Sequence, residues 1–272
     1  MWRRRQTWAV FVVAVLFLAA GLFQYAFEGE FTAQRSGVIG YLMALGTGPT
    51  AFWLGLIPLI GSLSGGDTLA WDRRTGFLRY ERTRRAVADM AFGKVIATGL
   101  SAMLVALCAM AVVFGISAAL LSTRTPPWHI TPGGIPTINI AGAPTNYVEP
   151  YPVFLHSFFF SQPLLYIVLV SIVVSFAIAF WAELSLLLSV WTTNLVIVIG
   201  VPWLTYVVAT FVVGGPLIGA GNWTPIALSG PFVGAGSGPP AYGIVMLWPI
   251  LTIWVGGSTY VAMVRKENEL YE

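Results

Sequence analysis

Between Gly65 and Lys94 the chain reads GGDTLAWDRRTGFLRYERTRRAVADMAFGK, a stretch holding seven of the fourteen Lys/Arg and four of the eleven Asp/Glu. On either side the sequence is apolar and almost charge-free for long distances. A charge at the centre of a bilayer costs about 3 kcal/mol or more. A polar stretch between such blocks therefore lies in water while its neighbours lie in lipid. Composition points the same way: 57% of residues are hydrophobic, 9% are charged and the mean hydropathy is +0.80. Soluble domains carry about 25% charged residues, so an ordinary soluble fold is excluded. The net charge of +3 makes no case for nucleic acid.

Six apolar segments predict an all-α integral membrane protein with six spans. About 20 apolar residues cross a ~30 Å hydrocarbon core. The first span covers 8–27 and follows Arg3, Arg4 and Arg5; it is longer than the ~7–15 residues of a cleaved signal core, so it reads as a retained helix. The second covers 38–63 and is interrupted by Pro49, Pro58 and several glycines, which kink a helix. The third covers 90–121. The stretch 122–157 is rich in Pro and Gly and reads as an extracytoplasmic loop with a short hairpin at Ile135–Ile140. From Phe158 to Val190 the chain is apolar except for Glu183; the simplest division is a fourth span over 158–181 and an elbow to Asn194. A fifth span covers 195–213. The segment 214–240 is greasy but full of Gly and Pro, as in broken or re-entrant pieces held against protein. The sixth span covers 241–264.

Lys and Arg stay on the cytoplasmic side of short loops. With both termini in the cytoplasm, twelve of the fourteen basic residues fall there, leaving only Arg35 and Arg124 outside. Shifting the topology by one helix inverts that partition. The expected location is the cell inner or plasma membrane, as a multi-pass protein.

Motifs for chemistry are sparse. Gly93-Lys94 resembles the end of a phosphate-binding loop, but Val95 replaces the Ser/Thr and Ala88 the first glycine. His129 and His156 lack metal-ligand spacing. Cys108 has no disulfide partner in the chain and is expected to be a buried structural thiol. No catalytic, cofactor-binding or metal-binding residues are assigned. Glu183 has two readings: a carboxylate at the cytoplasmic end of the fourth span, or an intramembrane group in a substrate or coupling pathway.

The loop at 65–94 holds more than a retention signal requires. Topology alone needs scattered arginines, whereas Trp71, Phe77 and Tyr80 among arginines are what protein interfaces use. A pair of short helices broken at Gly76 is expected over Thr68–Arg85, with Phe77 and Tyr80 facing a partner.

At these residues the chain resembles the permease subunits of ABC-2 type ABC transporters. In that family a long second span ends in an acidic residue, followed by a glycine four positions on, apolar positions, a basic turn and a Gly-Lys opening the third span. Here those are Asp72, Gly76, Phe77–Leu78, Arg82–Arg85 and Gly93-Lys94. The chain departs from the family in having Asp72 where glutamate is frequent and Arg84-Arg85 where a proline is frequent. The resemblance implies a permease of an ATP-driven exporter, not itself an enzyme, paired with a second permease subunit and with separate ABC ATPase subunits that carry ATP and Mg. It implies an ATPase-coupling surface of Asp72, Arg73, Gly76, Phe77, Arg79, Tyr80, Arg82, Arg84 and Arg85. The alternatives are an ion-coupled secondary transporter and a membrane scaffold.

Overall fold

In hydrocarbon every backbone N–H and C=O must find its partner inside the segment, which leaves the helix as the local solution for these apolar runs. The computed structural model describes residues 5–27, 37–46, 51–121, 128–130, 136–138, 158, 161–214, 225–228 and 241–269. Its helices are α1 (Arg5–Phe27), α2 (Gly37–Gly46), α3 (Ala51–Gly61), α4 (Thr68–Arg74), α5 (Phe77–Arg82), α6 (Val87–Leu120), α7 (Pro163–Ser189), α8 (Leu195–Gly214), α9 (Pro225–Leu228) and α10 (Ala241–Glu269). Five of them, α1, α6, α7, α8 and α10, are long and apolar enough to cross a membrane. Several long apolar helices of this kind suggest a multi-pass membrane protein.

The second expected span is not one rod. It is divided into α2 and α3, and α3 runs on into a π-helical turn at Ser62–Gly66. Pro58 lies inside α3 and removes a backbone donor. The turn is wedged between α6 and α7. A Cβ on Gly61 would overlap the Ile178 carbonyl, and one on Gly66 would come 2.5 Å from the Ser185 Cβ. Only glycine permits this approach. Hydroxyls then close the contact: Ser62 donates to the Pro58 carbonyl at 2.7 Å, which leaves Ser185 as donor to Ser62 at 2.5 Å. Across the turn, Thr98 reaches the Gly65 carbonyl and Ser101 the Ser64 carbonyl.

The centre of the bundle is α7. Over its most apolar window 56% of residues are buried, against 17% for α8. It packs against α10, α6, α3 and the π-helical turn. On α6 the buried positions Thr98, Ser101, Ala102, Val105, Ala106, Ala109, Met110, Val113 and Ser117 recur every three or four residues, a stripe of mostly small side chains on one face. Tyr41 of α2 is joined to Ser171 of α7 at 2.6 Å; the Ser171 hydroxyl is already given to the Ile167 carbonyl, so Tyr41 donates. The outer faces are apolar and bare, with Val196, Phe211 and Ile253 all more than 70% exposed. Such surfaces belong in lipid or against protein.

Three expectations change. The fourth helix does not stop at 181 but runs to Ser189, because no helix-breaking residue intervenes among Ala182–Ser189. Cys108 is exposed on the outer face of α6, since the small-residue stripe takes the inner one. The hairpin begins earlier than Ile135: strand β1 (Trp128–Ile130) pairs antiparallel with β2 (Pro136–Ile138), with His129 opposite Thr137. His156, Arg35 and Arg124 lie outside the described residues, as does most of 214–240. Within that stretch α9 is described, where the Leu228 carbonyl accepts from the Trp248 indole at 2.9 Å.

Candidate functional site

The charged segment folds into α4 and α5, separated by a turn at Gly76. Gly76 has φ 74°, in the left-handed region, and its N–H returns to the Arg73 carbonyl at 3.3 Å. This is the glycine stop of a helix C-terminus. No neighbour lies within 4 Å of a Cβ placed there, so backbone conformation alone demands glycine. Thr75 assists by donating its hydroxyl to the Trp71 carbonyl at 3.0 Å.

The inner side of the pair is clamped to the bundle. Lys94, about two turns into α6, lies 2.6 Å from Asp72 of α4 and 2.9 Å from Glu81 of α5. One ammonium thus ties both short helices to the start of α6. Arg73 points the other way, to Glu267 of α10 at 2.7 Å and to the carbonyls of Ser189 and Val190. Lys266 adds a bond to the Val190 carbonyl at 2.6 Å. Two cations therefore gather at the C-terminal end of α7, where unpaired carbonyls and the negative end of the helix dipole favour them. Beneath, Leu78 packs into a small core with Leu69, Met90, Ala91, Leu186, Val190 and Met263.

The outer side is different. Trp71, Phe77 and Tyr80 are 42–51% exposed, and Phe77 and Tyr80 lie ring to ring at 6.1 Å. The Arg84 guanidinium sits 4.3 Å over the Tyr80 ring. Arg74, Arg84 and Arg85 are exposed. Between the helix pair and the start of α6 opens a cleft of about 360 Å³, reached by Asp72, Phe77, Glu81, Arg85, Asp89 and Lys94.

The nine residues of the expected surface thus divide by role. Asp72 and Arg73 turn inward and anchor; Gly76 makes the turn; Phe77, Tyr80, Arg84 and Arg85 face out. Arg79 and Arg82 are on α5, and their side chains lie outside the described residues.

Glu183 is not at a helix end. It sits six residues before the end of α7, about 9 Å along the axis, and is 2% exposed. Its carboxylate lies between two helices at positions without side chains: a Cβ on Gly99 of α6 would be 3.1 Å from Oε1, and one on Gly256 of α10 would be 3.9 Å from Oε2. Oε2 has no hydrogen-bond partner among the described residues. Sequence reasoning did not find Gly99, Gly256 or Glu267. The two glycines lie among many others, and Glu267 sits in a terminal charged run with nothing to mark its burial.

Among the described residues no three His, Cys, Asp or Glu side chains gather to hold a metal ion. Compared with protein-family models, with curated proteins and with solved structures, the chain matches none of them.

Proposed function

We propose that this chain is the membrane-spanning permease subunit of an ATP-driven exporter of the ABC-2 type. The observation that carries the reading is the two-sided helix pair at Thr68–Arg82. Its inner side is bolted to α6, α7 and α10 by Asp72–Lys94–Glu81 and Arg73–Glu267, while its outer side offers Trp71, Phe77 and Tyr80 among arginines. Aromatic and arginine side chains dominate interface energetics. A platform tied to three long helices can pass a partner's motion into the bundle, and a conformational change needs such differential contacts in its two states.

In this reading α2, α3 and the π-helical turn supply the sixth crossing, and both termini face the cytoplasm. Two such subunits line the path, and separate ABC ATPase subunits bind ATP with Mg and dock on the helix pair. The chain itself is not an enzyme. Purified alone it should hydrolyse no ATP; robust hydrolysis by the isolated polypeptide sinks the reading.

Glu183 favours a second reading, an ion-coupled secondary transporter. A carboxylate enclosed by three helices with one unpaired oxygen is a form that coupling residues take. Proteoliposomes holding this chain alone separate the two. Transport driven by an ion gradient without ATP, and lost in Glu183→Gln, selects the carrier; no transport without the ATPase selects the exporter.

A further inference from the structure

The buried face of α10 is set by Trp248, Val255, Gly256, Thr259, Met263 and Glu267. Its opposite flank borders a groove of about 830 Å³, closed on the far side by Trp191 in the turn between α7 and α8. One end of the groove is basic. Arg265 is exposed there. Lys266 adds a second charge, held in place by its bond to the Val190 carbonyl. Among the described lining residues there is no carboxylate. Away from that end the walls are apolar, formed by Ile253, Trp254 and Val261. Ile253 is 74% exposed and Trp254 68%.

We propose that this groove binds an anionic phospholipid, its phosphate meeting Arg265 and Lys266 and its acyl chain lying along Trp191, Ile253, Trp254 and Val261. The distribution of charge selects this occupant. A cationic end on an apolar trough is complementary to a molecule with one anionic head and a long apolar tail, and basic pockets beside membrane helices hold such headgroups. Trp191, in the turn after α7, stands where the belt residues of the membrane–water boundary are found. A second copy of the chain fits less well. A two-fold contact about an axis along the membrane normal would bring Arg265 and Lys266 of both copies to the same depth, and like charges across an interface cost several kcal/mol. The inference requires only that α10 lies in a bilayer, so it stands or falls apart from the exporter reading.

The test uses the full-length chain in neutral detergent, titrated with phosphatidylglycerol, with phosphatidylcholine of the same acyl chains, and with inorganic phosphate. Bound lipid is counted by native mass spectrometry. Phosphatidylglycerol should be retained in preference to phosphatidylcholine, and inorganic phosphate should not displace it. Arg265→Gln should weaken phosphatidylglycerol about fivefold, the effect of removing one basic residue at an anionic lipid surface, while leaving phosphatidylcholine unchanged. Arg265→Lys should keep most of the affinity, and Ser258→Trp, which fills the groove, should abolish the preference. Equal retention of the two lipids, an Arg265→Gln protein that binds as the parent does, or displacement by phosphate overturns the proposal. So does cross-linking between copies through Ser258→Cys in a Cys108→Ser background, which would make the groove a subunit contact.

Discussion

Asp72 and Lys94 are 22 residues apart and meet at 2.6 Å, closing the charged segment into a ring that starts and ends at the bundle. Both side chains are only 11% exposed, and Glu81 shares the same ammonium. The pair therefore holds the platform rather than facing a partner. Breaking one side of a largely buried pair costs more than the pair is worth, because the other charge is left behind.

Asp72→Ala and Lys94→Ala should each loosen α4 and α5 without preventing membrane insertion. Limited trypsin digestion reads this directly, since Arg74, Arg84 and Arg85 are already exposed. Cleavage in the segment should rise in both single variants and fall back toward the parent in Asp72→Lys/Lys94→Asp. Unchanged cleavage in all three contradicts the clamp.

The tight glycines should separate cleanly from the loose ones. Gly61→Ala and Gly66→Ala force the π-helical turn away from α7 and should each destabilise by ~1–3 kcal/mol, the range of overpacking. Gly115, on the exposed side of α6, has nothing within 4 Å of a new Cβ. Gly115→Ala should be neutral or slightly stabilising, because alanine is the better helix former by up to ~1 kcal/mol. Thermal unfolding in detergent ranks the three variants.

Topology follows from the basic residues. Single cysteines at Arg82 and Lys266, in a Cys108→Ser background, should resist an impermeant reagent on intact cells, whereas cysteines at Asn139 and Trp223 should react. The background matters because Cys108 is exposed on α6. Labelling of position 82 from outside overturns the orientation.

The helix pair was readable from residues alone because its determinants are local. Gly76 ends one helix by its own backbone preference, and the alternation of arginine with Trp71, Phe77 and Tyr80 marks a two-sided element. What could not be read is which side each residue takes. Asp72 and Arg73 look like surface charges until the starts and ends of α6, α7 and α10 are brought beside them, and that depends on contacts across 22 and 194 residues. Glu183 kept two readings for a related reason. An apolar run of 33 residues does not announce where its helix ends, and the cavity that receives the carboxylate is made by Gly99 and Gly256 on other helices. The division of the second span was half legible: Pro58 and the glycines announced a kink, but a π-helical turn needs the wall of α7 to shape it.

The central claim is that Phe77 and Tyr80 dock an ATPase that drives this chain. A well-packed aromatic anchor is often worth about 2 kcal/mol or more on truncation, and Phe77 is 49% exposed with no place in the core beneath it. The decisive measurement is the yield and ATP-dependent transport of the permease–ATPase complex, purified through this chain and reconstituted, for the parent beside Phe77→Ala. The account predicts normal membrane insertion of Phe77→Ala with about tenfold or greater loss of complex or of coupled transport. A Phe77→Ala protein equal to its parent in both would contradict it.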